Sequence, residues 1–212
     1  MARSDSRFTA PPAQHDFEAG HMSFPVQSEP SGDSVASPSD SYADALTVDT
    51  DVTDLLAADH LLRTLASELV LPEDEDVIGC THLMRDDRPR VVLSFALPTR
   101  EARDSAHERL TAMGYEVTDG VPDEVGRAVL YPGVASLTGT VTVAELLSRS
   151  AIDRVTVLGT QEPPAPDTEL VTREHVRPQW QNGELVLAAM PAVGGRLVPF
   201  EVPDPTPCCA DH

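Results

Sequence analysis

The first 48 residues carry no helical or strand period, and this limits what the chain can fold into more than any other feature. Ser, Pro, Asp, Gly and Ala dominate the segment, as in SEPSGDSVASPSDS from Ser28 to Ser41. Such a stretch cannot bury enough apolar surface to offset the entropy of ordering it. Residues 1–48 are therefore expected to form a disordered acidic tail, and residues 49–212 to make the fold. Met22, in GHMSFPV, offers a second possible start of translation.

Order is expected from TDVTDLLAADHLLRTLASELV onward. Asp51 suits a helix N-cap, with Asp54 in the first turn, and Val52, Leu55, Leu62, Leu65 and Leu69 then share one stripe. The strands VIGCTHLM and RVVLSFAL flank the polar RDDRP, which reads as a hairpin. Thr99 caps a second helix with the stripe Ala102, Ala106, Leu110 and Met113, and Gly114 closes it. YEV and GRAVLYP follow as short strands. Residues 49–132 thus read as an α-β-β-α-β-β domain.

Residues 133–212 read as a short helix followed by strands. Thr142 and Glu145 make a capping box, DRVTVLG is a strand, and Asn182-Gly183 is a strong two-residue hairpin signal. Gly194-Gly195 marks a further turn. The expected fold class is α+β: a two-layer α/β sandwich followed by a C-terminal antiparallel β-meander, the two parts packed as one globular unit.

Charge narrows the partners. The chain carries 35 acidic and 15 basic residues, a formal net charge of −20. Phosphate backbones and anionic membrane surfaces would be repelled, so neither nucleic acid nor membrane is expected as a partner. A cationic protein or a metal ion suits this charge better. All 15 basic residues are arginine; lysine is absent, and Ile and Asn are nearly so, which reads as base composition of the gene. The longest uncharged stretch contains Pro132, Gly133 and Gly139, and no apolar run follows the N-terminus, so neither a membrane span nor an export signal is expected. The odd count of three cysteines then points to reduced thiols in the cytoplasm.

The chemical leads are cysteine and histidine. On a strand, Cys80 and His82 point to the same face. Cys208, Cys209 and His212 close the chain in PTPCCADH, behind Pro203, Pro205 and Pro207. Together they offer a Cys-x-His and a Cys-Cys-x-x-His half-site, a four-ligand set of the kind structural zinc takes, with Cys208 and Cys209 as alternatives. Against this, buried cysteine more often behaves as a small hydrophobe. A vicinal Cys208–Cys209 disulfide, or Cu(I) on the Met84, Cys80 and His82 face, are the other chemistries these residues offer. The run Glu73–Asp76 matches no EF-hand spacing and reads as a solvated loop. His175, between Arg173 and Arg177 in TREHVRP, belongs to a small basic cluster that suits an anion, although arginines alternating along an exposed strand face are the commoner arrangement. No Walker A, G-x-G-x-x-G, G-x-S-x-G or H-E-x-x-H motif occurs.

Three functional expectations follow. The first is a soluble, cytoplasmic, non-enzymatic interaction or regulatory module whose partner is another protein. The second is a zinc-binding protein using Cys80, His82, Cys208, Cys209 and His212. The third is a small enzyme with a cysteine nucleophile, Cys80 or Cys209, activated by a histidine.

Overall fold

The computed structural model describes residues 44–71, 76–85, 88–181 and 183–203. Its first element is a strand the sequence reading placed inside the tail: β1, Ala45–Asp49. Residues 45–48 are therefore ordered where a disordered tail was expected, and the rest of that expected tail, up to residue 43, lies outside the described residues. ALTVD alternates Leu46 and Val48 with β-branched Thr47, a strand signal too short to stand out beside Ser- and Asp-rich sequence.

Helix α1 (Leu55–Glu68) starts one turn later than expected. Asp54, extended at φ −114° and ψ 133°, is the N-cap, and its Oδ1 accepts from the Ala57 N–H. Asp51 lies outside the helix and is exposed, 3.2 Å from Arg88. Strands β2 (Ile78–Met84) and β3 (Arg90–Ala96) form the expected hairpin, pairing Cys80 with Ser94 and His82 with Val92. Helix α2 (Arg100–Ala112) is capped by the Thr99 hydroxyl as expected. It buries Ala106 and Leu110, but Met113, past its last turn, is exposed. β4 (Glu116–Asp119) then returns to pair with β1.

These six elements run βαββαβ with strand order β4-β1-β3-β2, every neighbour antiparallel. That is the split β-α-β topology called ferredoxin-like. Both helices pack on one face, where Leu62, Leu65 and Leu110 meet Leu46, Leu93 and Phe95 in a first core.

β5 (Gly126–Leu130) extends this sheet beside β2 and carries it into the second half. There follow β6 (Thr140–Thr142), α3 (Val143–Arg149), β7 (Arg154–Val157), β8 (Glu169–Val171), β9 (Gln179–Gln181), β10 (Glu184–Pro191) and β11 (Leu197–Pro199). The capping box is formed: the Thr142 N–H donates to the Glu145 carboxylate at 2.9 Å, and the Glu145 N–H to the Thr142 hydroxyl at 3.1 Å. The hairpin expected at Asn182-Gly183 is also present, joining Gln181 to Glu184, with Gly183 at φ +88°.

The last three strands run antiparallel in succession. Val186 pairs with both Gln179 and Arg154, and Ala189 with both Val157 and Pro199. A strand residue has two edges, so β9 and β11 lie along one side of β10 and the parallel β7 along the other. Among the described residues all 11 strands belong to one sheet, and the class is α+β. Its inner residues form a second core of Leu146, Ile152, Leu170, Leu185 and Leu187, joined by Cys80 and Ala128.

β5 serves both cores at once. Ala128 faces the second and its neighbour Val129 the first, as the two-residue period of a strand requires. Strands covered on both faces read as apolar runs, which β3 with six consecutive buried residues illustrates. Gly133 holds a tight corner after β5. At φ +81° a Cβ there would lie 1.9 Å from the Arg149 carbonyl oxygen, so no side chain fits.

Candidate functional site

Cys80 and His82 share a buried face of β2, as the alternation implied. Both pack against Gly126, where a Cβ would sit 2.9 Å from His82 Cε1 and 3.3 Å from Cys80 Sγ. The two nitrogens of His82 are already engaged. Nδ1 is 2.9 Å from the Glu124 carbonyl oxygen, so it carries the proton, and Nε2 accepts from the Ser94 hydroxyl at 2.7 Å. A metal ion there would have to displace one of these bonds inside the core. Cys208, Cys209 and His212 lie outside the described residues. Among the described residues no group of three or more His, Cys, Asp or Glu is placed to hold a metal ion.

The same environment bears on catalysis. Burial pushes the Cys80 thiol up to about 12, opposed only weakly by the charge of Arg127, so the thiolate is scarce at neutral pH. Burial also lowers His82, against the pull of the Glu124 carbonyl, and keeps the imidazole neutral. Ser94, His82 and a carbonyl do form a hydroxyl–imidazole–acceptor chain. The Ser94 hydroxyl lies behind the ring at 2% exposure, however, and only His82 reaches the adjoining cleft beside Trp180. A substrate carbonyl cannot approach that oxygen.

The largest concentration of charge is elsewhere, at the meeting of α1, β5 and the segments before β9 and after β11. Arg127 on β5 takes two carboxylates. Its Nη1 and Nη2 bond both oxygens of Asp59 from α1, Nη2 at 3.2 Å, while Nε at 2.6 Å and Nη2 bond Glu201. Arg177 Nε donates to Asp59 Oδ2 at 3.1 Å, and His175 Nε2 lies 2.8 Å from Glu201 Oε1. The result is a chain Arg177–Asp59–Arg127–Glu201–His175 linking residues up to 142 positions apart.

Burial alone would raise the Asp59 carboxyl, but the bonds and charge of Arg127, then of Arg177, hold it below its ordinary value. Glu201 is likewise held down by Arg127 and His175 against its own burial. Burial works to lower Arg127, yet the two carboxylates raise it above the usual arginine value. Arg177 goes the other way. Its burial outweighs Asp59, which it must share, and its pKa is lowered.

Two clefts flank this chain. One, of about 580 Å³, has Thr81, Arg127 and Glu201 among its lining and an apolar rim of Leu55, Leu83 and Val125. The other, of about 560 Å³, lies between the C-terminal half of α1 and the loop before β9, and Arg63 and Arg177 line it. The loop residues Arg173 and Glu174 both adopt φ +54°. Residues 172–178 are therefore not the exposed strand that alternating arginines suggested. Arg177 is buried and Arg173 exposed.

Comparison with protein families, characterised proteins and solved structures finds no match to this chain. Among the described residues no helix is long and apolar enough to cross a membrane. Sequence reasoning missed Asp59, Arg127, Ser94 and Glu201. Asp59 alone left a trace: it is a charged residue among Ala58, Leu62 and Leu65 on the buried side of α1.

Proposed function

We propose that this chain is a soluble cytoplasmic interaction module that works on another protein and catalyses no reaction of its own. The observation that carries the reading is the rim of the first cleft. Leu83 is 44% exposed and Val125 56%, side by side with Leu55 above the ion chain. Exposed large aliphatic side chains on strand-supported backbone are preorganised contact points. The charged floor beneath them is already saturated, since Arg127 and Glu201 bond one another. A partner would gain by covering the rim and would find Arg127 and Glu201 already paired, with Arg85 and Glu124 exposed on the same lining.

Charge indicates the partner's character. A body with net charge −20 steers basic surfaces toward itself and repels acidic ones. The fitting partner presents apolar side chains within a basic surround. The non-catalytic part of the reading is supported by the chemistry of the described nucleophiles: Cys80 is held protonated and Ser94 is sealed.

A photo-crosslinking residue at Leu83, in the full chain in its own cells, tests the idea. One dominant adduct with a basic protein is expected, and the same residue at Leu158, exposed elsewhere, should not give it. The purified partner should then bind the chain, and Leu83→Asp with Val125→Asp should weaken binding at least about tenfold with the melting temperature unchanged. No adduct, or an adduct whose affinity the double variant leaves intact, would sink the proposal.

A further inference from the structure

The second cleft shares no lining residue with the first, and its polarity is arranged differently. Its walls are apolar, with Ala66, Val77, Val129 and Val134 among them, and two arginines stand on one side. Both converge on one residue. Arg177 Nε bonds the Asp59 carboxylate at 3.1 Å, and Arg63 Nη1 donates to the Asp59 main-chain carbonyl at 3.4 Å. That carboxylate is also the one Arg127 grips with two nitrogens. Three guanidiniums thus crowd Asp59, with Glu201 the only other carboxylate in the chain of ion pairs.

Arg177 has capacity left over. Its side chain is 6% exposed; Nε is used on Asp59 and Nη1 on the Val176 carbonyl at 3.1 Å. Among the described residues Nη2 has no partner. No buried, unsatisfied side-chain nitrogen occurs among those residues either, so Nη2 must open to space, and the cleft is the space Arg177 lines. Arg63 makes no ion pair among the described residues. Glu174 also lines the cleft but is exposed and pairs with neither arginine.

We infer that this cleft binds a small carboxylic acid with an apolar body, its carboxylate on Arg177 Nη2 and Arg63 and its body against the wall of Ala66, Val77 and Val129. A planar carboxylate suits a guanidinium fork, and in an apolar surround such charge-assisted bonds are strong. The volume of about 560 Å³ lies within the range of small-molecule sites, and an apolar chamber with a few convergent polar groups is their usual form. An anion would also relieve the crowding of positive charge at Asp59. Burial, with the like charges of Arg127 and Arg63, outweighs Asp59 and lowers the pKa of Arg177. The backbone adds a supporting sign, because Val70 and Glu174 both line the cleft at φ +54°. Left-handed non-glycine residues tend to gather at ligand clamps.

The test uses the full-length chain with octanoate, octanol, acetate and inorganic phosphate as probes, followed by calorimetry and thermal shift. Octanoate should bind one equivalent with a Kd below about 1 mM and raise the melting temperature saturably. Octanol and acetate should each bind at least tenfold more weakly, because each keeps only half of the recognition. Arg63→Gln, an exposed position, should weaken octanoate at least fivefold without lowering stability. Ala66→Trp, which fills the chamber, should abolish binding. Octanoate and octanol binding equally would overturn the carboxylate part, and phosphate competing as well as octanoate would overturn the apolar part. No octanoate binding at millimolar concentration overturns the whole. None of these results bears on crosslinking at Leu83, so the two proposals fail separately.

Discussion

Arg127 carries two carboxylates on one guanidinium, and it does so where solvent screening is weak. Its replacement by methionine leaves Asp59, 3% exposed, with only the single bond from Arg177. Breaking one side of a buried pair costs about 3–5 kcal/mol, so Arg127→Met should lower the urea midpoint by a corresponding amount. Glu201→Gln should cost clearly less, since that carboxylate is 34% exposed. Equal losses would mean that Asp59 is satisfied without Arg127. His82 supplies a pH dependence. Its folded pKa lies below the ordinary 6.5, so under acid the unfolded chain takes up a proton that the folded chain refuses. Stability present above 6.5 is lost as the pH falls toward the depressed value. His82→Gln should flatten the stability profile on the acid side of pH 6.5, measured by denaturation at each pH. A profile of unchanged slope would show that another group titrates there. The period of a strand was enough to place Cys80 and His82 on one face. What meets them there, a hydroxyl 12 residues away and a carbonyl 42 away, depends on register that local sequence does not encode.

Among the elements, those with their own chemistry were legible before the fold was known. The Thr142–Glu145 box, the Thr99 cap and the hairpin at Gly183 each depend on contacts within a few residues. Strand β1 was not legible, because a five-residue strand draws its stability from β3 and β4 on either side and not from its own period. Asp51 was expected as the cap with Asp54 in the first turn, and the extended backbone of Asp54 and its bond from the Ala57 N–H make it the cap instead. The other end of α1 makes a sharper prediction. Val70 follows the C-cap at φ +54°, a conformation in which a β-branched residue is strained, and its side chain is 73% exposed. Val70→Gly should therefore stabilise the protein by roughly 1 kcal/mol, a rare gain from removing an aliphatic side chain. A loss of stability in thermal denaturation would mean that its contacts at the cleft outweigh the strain.

At the scale of the whole molecule, β1 decides where the chain can be cut. A chain beginning at Asp44 keeps every described strand and should melt close to the full length. A chain beginning at Thr50 loses the strand between β3 and β4 and should show no cooperative transition. Similar melting of both would contradict the observed strand order. The two parts of the sheet, meanwhile, are joined along a narrow line. β5 and β9 pair over two residues, Gly126 with Trp180 and Arg127 with Gln179, reinforced by the Ala128 N–H on the Pro178 carbonyl at 2.8 Å. If the protein breathes short of unfolding, the seam parts there first, like a book opening along its spine. Cys80 lies on the page that would be uncovered. Its labelling by a thiol reagent, in a chain where Cys208 and Cys209 are serine, becomes a clock for that opening. The clock should run faster in Glu201→Gln, which loosens the clasp across the seam, and at an unchanged rate in Arg154→Gln, whose pairing with Glu184 lies away from it.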